Sequence, residues 1–519
     1  MRSLNTRIIG LIVLISGYYY LNWLFLHFNF DAIILSSFFI FSTIFSYITS
    51  ILLVFNNWSW KIPKKLIVGE GREPQVAILI PTWKEDIKIV RRTVLSVVNQ
   101  NYPIRKMLII VSDDAANPNI KSMVYNLRNT IEGINILYNI PEPKGSPDRK
   151  GEGKSGNLNS ALALLVDYPT IGYIETRDAD DLVSDKNFLR YTIAQLEQDA
   201  RYAYVQTIKD AITTDGDPFA NREKLFYNSL VLSKNAANTV FPCGSGLVWR
   251  RTALENIGGF PDWNLVEDFQ SGAEALRRGW RGLYLPIIGA LGQISPEDIP
   301  NLIKQRTTWA ADSFRFMLWG EKKGLNLIQR AHFIESGLFY LMAGMFSLQA
   351  IIPMTVLLTN QQPISGNPLE YLIHIAPYLL SVFLFVLTLE RDQDVKIRQI
   401  IRSFQVAFGL GPTYLITFLK TILCGANYKP KYVVTNKYTS FGFYILNVLP
   451  QLFISASLVF AIYTNIINNI QNPLSIEWTT ILWGLLYLSV FTHIVKLSWF
   501  SSKAGEKFEQ LFGEPLLSR

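Results

Sequence analysis

Apolar residues are concentrated at the two ends of the chain, in windows 8–27, 32–55, 333–358, 370–390, 441–464 and 478–499. Each reaches the roughly 20 residues that a helix needs to cross a hydrocarbon core. From Lys61 to Arg330 no such run occurs, and the charge density is that of a domain in water. The pattern therefore predicts two membrane helices in 1–60, a soluble domain over 61–300, amphipathic interfacial helices over 301–332 and four more membrane helices in 333–519. The first window follows Arg2 and Arg7, as a cleaved leader would, but a second apolar run begins only a few residues later. That pairing predicts a helical hairpin through the membrane.

Inside the soluble segment the period changes. Residues 75–80 and 107–111 are continuous apolar runs that stop at Pro81 and at Ser112-Asp113-Asp114, as buried parallel strands do. Residues 90–98 have helical spacing between them. A third strand over 171–176 ends at Asp178-Ala179-Asp180, and a fourth over 202–207 ends near Lys209-Asp210. Strands alternating with helices imply an α/β sheet whose ligand site lies at the carboxyl ends of its strands.

Composition agrees with a mixed membrane and soluble chain: 49% hydrophobic and 17% charged residues. The net charge of +8 would suit nucleic acid, but much of the excess flanks the apolar windows: Lys61, Lys64 and Lys65, then Lys396, Arg398 and Arg402, then Lys429, Lys431 and Lys437, then Lys496, Lys503 and Lys507. This is the positive-inside signature, and no nucleic-acid partner is expected. The loops 28–31, 359–369 and 465–477 contain no Lys or Arg. All basic loops fall on one side if 403–424, which holds Gly409, Gly411, Pro412 and Lys420, lies in the interface rather than spanning. The expected topology is six spans, with the soluble domain and both termini cytoplasmic. Two cysteines, Cys243 and Cys424, support neither a disulfide framework nor a cysteine-based zinc site.

Several polar clusters could carry chemistry. Asp178 and Asp180 stand where a sheet edge could hold one hard divalent ion with substrate phosphates, although Asp-x-Asp also arises in solvated loops. Asp113-Asp114 and Glu85 end neighbouring strands, where acidic pairs also mark solvated turns. The Gly/Pro-rich loop 141–157 leads into Lys154-Ser155-Gly156-Asn157-Leu158-Asn159, a cation and free N–H groups at a helix start that suit a diphosphate or an ordinary cap. Phe241-Pro242-Cys243-Gly244-Ser245-Gly246 is a tight turn of small residues that another molecule could approach closely. Glu267-Asp268 opens a helical pattern, where carboxylates favour the dipole and could also serve as a general base. Trp309, in Gln305-Arg306-Thr307-Thr308-Trp309, is either an interfacial anchor or a sugar-stacking face.

Taken in order, Pro81-Thr82-Trp83-Lys84-Glu85, Asp113-Asp114, Lys154 to Asn159, Asp178-Ala179-Asp180, Phe241 to Ser245, Val266-Glu267-Asp268 and Gln305 to Trp309 resemble the successive motifs of the processive membrane members of glycosyltransferase family 2, the cellulose-synthase-like enzymes. Tyr432-Val433-Val434-Thr435-Asn436-Lys437 is similar to that family's gating-loop motif, here within 425–440. The resemblance covers about residues 70 to 500.

It implies a GT-A α/β catalytic domain, of mixed and mostly parallel sheet, joined to an α-helical transmembrane region. It implies inverting transfer from a UDP-sugar, with UDP-glucose the expected donor, to a glycan or lipid acceptor, in a multi-pass protein of a bacterial inner membrane. Thr82, Glu85 and Asp113 would meet the uridine, Lys154 the diphosphate, and Asp178 and Asp180 the nucleotide with its Mg²⁺ or Mn²⁺. Asp268 would be the catalytic base, and Cys243, Gly244, Ser245, Gln305 and Trp309 would border the acceptor. Tyr432, Val434, Thr435 and Lys437 would form the gating-like loop.

Three positions depart from the family pattern: Thr308 replaces an arginine directed at the donor diphosphate, Val266 replaces a threonine, and Asp181 stands where cellulose synthases often have histidine. The leading expectation is β-linked polymer synthesis with translocation through the protein's own helices. Single-sugar transfer to a lipid such as diacylglycerol, and an inactive membrane subunit, are the alternatives raised by Thr308. After Phe500 only 19 residues remain, too few for the cyclic-dinucleotide-binding domain of some bacterial cellulose synthases, so regulation by that route is not expected.

Overall fold

A computed structural model describes residues 4–391, 396–427, 429, 442–499 and 504–513. Two long apolar helices open it, α1 (Leu4–Leu26) and α2 (Ile33–Asn56). The middle of the chain alternates strands and helices: β1 (Val76–Thr82), α3 (Ile87–Val98), β2 (Met107–Asp113), α4 (Pro118–Thr130), β3 (Asn135–Asn139) and α5 (Gly153–Ala163). Then follow β4 (Tyr173–Thr176), β5 (Asp181–Leu182), α6 (Phe188–Gln198), β6 (Tyr202–Ala211), α7 (Val231–Ala237), β7 (Leu247–Arg250), α8 (Arg251–Asn256), α9 (Glu267–Arg277) and β8 (Arg281–Gly292).

These strands form one eight-stranded sheet in the order β3-β2-β1-β4-β7-β6-β8-β5. β1, β2, β3 and β4 are mutually parallel where they pair, and β7 runs antiparallel to both β4 and β6. Alternate residues of β1 serve opposite cores, as the two-residue strand period requires. Val76, Ile78 and Ile80 pack on one face, and Ala77 and Leu79 on the other. Both faces being covered explains why β1 and β2 read as unbroken apolar runs.

The register delivers the polar clusters to one edge. Thr82 pairs with Asp113 and Leu79 with Thr176, so Asp178 emerges beside the ends of β1 and β2. Thr176 faces Leu247 across the antiparallel β4–β7 pair, which brings the preceding turn to the same edge. Because β6 is antiparallel to β7, its own carboxyl end, with Lys209 and Asp210, lies there too.

Beyond the sheet run α10 (Ile299–Trp319), α11 (Leu327–Gln349), α12 (Ile351–Thr359), α13 (Pro368–Arg391), α14 (Ile397–Gly409), α15 (Gly411–Cys424), α16 (Leu449–Asn468), α17 (Trp478–Leu497) and α18 (Ala504–Phe512). Among the described residues six helical segments are long and apolar enough to span a membrane: Leu4–Leu26, Phe30–Asn56, Leu327–Thr359, Pro368–Leu389, Ile445–Asn468 and Trp478–Leu497. The third begins before its apolar window because Asn326 and Gln329 form a capping box that starts the helix in polar sequence.

The expected single interfacial helix over 403–424 is instead two helices meeting at a 43° bend. Pro412 lacks an N–H to continue the ladder of α14 and sits in the first turn of α15. Gly411 is required there, since a Cβ would lie 2.1 Å from the Ala343 carbonyl oxygen of α11. The segment before α11, expected to form amphipathic interfacial helices over 301–332, holds one helix, α10, which carries the Gln305–Trp309 motif.

Candidate active site

A cavity of about 1450 Å³ runs from the carboxyl edge of the sheet to the parts of the predicted spans that face the sheet. Thr82, Glu85, Lys154, Asp178, Asp180 and Asp268 line it, as do Cys243, Gly244, Gln305 and Trp309. Asp113 and Ser245 do not form its wall. Asp113 is fully buried and accepts hydrogen bonds from the Ala115 and Asn117 N–H groups, at 3.0 and 2.7 Å, and from the Tyr138 hydroxyl at 2.9 Å. The neighbouring Asp114 reaches the cavity instead and pairs with both terminal nitrogens of Arg149, at 2.7 and 2.9 Å. Ser245 Oγ accepts from the Asp178 N–H at 3.1 Å and positions that residue from behind. Tyr432, Val434, Thr435 and Lys437 lie outside the described residues.

Lys154, in the first turn of α5, ties three elements together. Its Nζ lies 2.6 Å from Asp178 Oδ1, 3.2 Å from the Gly244 carbonyl oxygen and 3.2 Å from Glu267 Oε1. Burial alone would weaken the ammonium, but Asp178 and Glu267 outweigh it and hold the charge. The asparagines after it serve the fold. Asn157 Nδ2 donates to the Ser112 carbonyl at 2.9 Å, and Asn159 Nδ2 donates to that of Phe260 at 2.8 Å. Only Lys154 of this motif therefore combines a charge with a place on the cavity wall.

Asp268 sits in the first turn of α9, where its Oδ1 accepts from the Phe269 N–H at 2.6 Å. Burial, then the charge of Glu267, pushes its carboxyl up to about 7. A base poised there accepts a proton near neutral pH without being permanently protonated. Sequence reasoning missed Asp312, one turn beyond Trp309 on α10. Its carboxylate accepts from the Leu265 and Val266 N–H groups, at 2.7 and 2.9 Å, and so anchors the segment that presents Asp268. Burial pushes Asp312 up to about 7 as well, with Asp268 adding to the shift. An acidic residue at helical spacing from Thr308 within an apolar run was the available signal. Deprotonation of Asp268 as pH rises predicts that kcat/KM falls about tenfold per unit below a midpoint near 7 and levels off above it. A pH–rate profile of the chain in membranes checks this.

Sequence reasoning also missed Lys209, on β6. Its Nζ lies 2.5 Å from Asp178 Oδ2 and 3.0 Å from Asp181 Oδ2. Arg306 is held elsewhere on the cavity wall: it pairs with Glu223, donates to the Ala220 carbonyl at 3.0 Å and stacks 4.7 Å from the Trp309 ring centre. Thr308 lines the cavity, but its hydroxyl donates back to the Lys304 carbonyl at 2.8 Å.

The donor set suits a hard divalent cation. Asp178, Asp180, Asp181, Glu267 and Asp268 interact electrostatically with one another and with the ammonium groups of Lys154 and Lys209. A cluster of carboxylates so close together favours a bound cation over a bare anionic diphosphate. Among the described residues no three His, Cys, Asp or Glu side chains are already grouped to hold a metal.

Comparison with known proteins gives matches to two family profiles: "Glycosyl transferase family 2" over residues 77–258 and "Glycosyl transferase family group 2" over residues 173–389. Cellulose synthase 1 of Komagataeibacter xylinus is 28% identical over 334 residues, which is 62% of this chain and 20% of that protein. A cellulose synthase catalytic subunit (UDP-forming) of Xanthomonas axonopodis pv. citri is 27% identical over 293 residues, 54% of this chain and 37% of that protein. The chain thus aligns with well under half the length of these relatives. Among solved structures, a mannosyltransferase from Pyrobaculum calidifontis in complex with GDP-Man and Mn²⁺ superposes with a TM-score of 0.53 at 17% identity, covering 75% of this chain and 99% of that one, so the two share a fold.

Proposed function

Because this chain carries glycosyltransferase family 2 domains and is homologous to cellulose synthase catalytic subunits, we propose that it transfers a sugar from a UDP-sugar, with inversion, to extend a β-linked glycan. The observation that carries the reading is the shared wall at Gly244. A methyl group there would lie 3.0 Å from Lys154 Nζ and 3.2 Å from Asp268 Oδ2, so one residue separates a diphosphate-seeking cation from a base. Asp268 takes the proton from an acceptor hydroxyl, the freed oxygen attacks the anomeric carbon, and the bond to UDP breaks on the opposite side. One displacement turns an α-linked donor into a β-linked product. Lys154 stabilises the charge that develops on the departing diphosphate. Asp178 and Asp180 would hold Mg²⁺ or Mn²⁺, which supplies further positive charge to the same leaving group. Thr82 and Glu85, at the end of β1, would contact the uridine, and Cys243, Gln305 and Trp309 would border the acceptor.

A glycan acceptor is supported by the far end of the cavity. Asn56 and Asn57, 4% and 2% exposed, line it, and the Oδ1 atom of each has no hydrogen-bond partner among the described residues. Buried acceptors left in this way suit the hydroxyl groups of a sugar. The basic residues beside the spans support a cytoplasmic position for the catalytic domain. Incubating membranes that contain the chain with labelled UDP-glucose, then extracting with solvent, tests the proposal. Label in insoluble material that a β-glucanase releases is expected. Label confined to the organic phase would instead make the acceptor a lipid, and no UDP release from any UDP-sugar would overturn glycosyl transfer altogether.

A further inference from the structure

We propose that Lys209 is a second diphosphate-binding cation of the donor site, supplying from β6 the positive charge that Thr308 does not supply from α10. The inference rests on the UDP-sugar reading above and adds a residue to it. Lys209 reaches the cavity from the carboxyl end of β6, opposite α5, and its Nζ lies 2.5 Å from Asp178 Oδ2 while Lys154 lies 2.6 Å from Asp178 Oδ1. One carboxylate is thus held between two ammonium groups that come from different sides of the sheet edge. Lys209 also touches Asp181 at 3.0 Å, the residue immediately after the Asp-x-Asp pair.

The arginine within the Gln305–Trp309 motif is already committed. Arg306 is 7% exposed and bound to Glu223 and to the Ala220 carbonyl, away from Asp178. Thr308 is uncharged and its hydroxyl is turned onto its own helix. Lys209 therefore joins Lys154 in contact with Asp178. An aspartate so bracketed is a natural exchange point. When a divalent cation binds the carboxylates, Asp178 no longer needs both lysines, and an ammonium 2.5 Å away is within reach of the phosphate oxygens that the same ion gathers.

The test is UDP and uridine binding by the full chain in detergent with Mg²⁺ present, measured by calorimetry for wild type, Lys209→Met and Lys209→Arg. The methionine variant keeps the apolar stem and loses the charge. It is expected to bind UDP on the order of ten- to a hundredfold more weakly, the range of a lost charge-assisted hydrogen bond, while uridine affinity stays within about twofold. The arginine variant is expected to retain most of the UDP affinity. Unchanged UDP binding by Lys209→Met in Mg²⁺ would show that Lys209 only balances the carboxylates and would overturn the inference. Equal loss of uridine binding would overturn it also, because a collapsed cleft would then be the cause. A wild-type chain that binds uridine and UDP no better than unrelated nucleotides would instead remove the donor reading itself.

Discussion

Asp268→Asn is expected to lower kcat by about 10²–10⁴-fold, the contribution typical of a positioned general base. The change is nearly isosteric, and the amide oxygen can still accept from the Phe269 N–H, so α9 should start where it does now. What is lost is a group that burial and the charge of Glu267 have poised near neutrality. UDP binding should survive, since Lys154 and Asp178 keep their contact at 2.6 Å. The discriminating measurement is UDP release alongside nucleotide affinity in the same preparation. Turnover within a few-fold of wild type would mean that another group takes the proton, and the mechanism proposed here would fall.

Gly244→Ala is expected to reduce turnover by about a hundredfold, through geometry rather than charge. Gly244 has φ near +81°, a conformation that costs an L-residue about 1–2 kcal/mol, and the added methyl would press on Lys154 Nζ and Asp268 Oδ2 together. Gly258 provides the control. Its φ is +87° and a Cβ there would meet nothing within 4 Å, so Gly258→Ala carries the same backbone strain without touching the site. Near-normal turnover in Gly258→Ala beside the loss in Gly244→Ala would isolate the steric term. Equal losses would assign the effect to backbone strain.

Much of this architecture was legible in the linear order of residues. Six apolar runs became six helices of spanning length, and the strands begin and end within a few residues of their apolar limits. These are local properties: a helix crossing hydrocarbon must satisfy its own backbone and be apolar along its length, and a strand buried on both faces must be apolar at every position. The break at Leu410 was harder to read. Pro412 and the glycines beside it are compatible with either a straight or a bent segment until the close approach to Ala343 is known.

The site divides along the same line. The sequence by itself determined that carboxylates, a lysine and a small-residue turn would stand at the ends of strands, because strand termination is written in the chain. Which of them face one another was decided only by the tertiary structure. Sheet order and register bury Asp113 and bring Asp114 to the cavity wall, and the antiparallel β7 places Gly244 between Lys154 and Asp268. Lys209 and Asp312 carried no motif that named them, since their importance comes from partners 31 and about 46 residues away in the chain. Charge compensation acts through space, whereas the periodicity of apolar residues acts along the chain, and only the latter can be read before the chain folds.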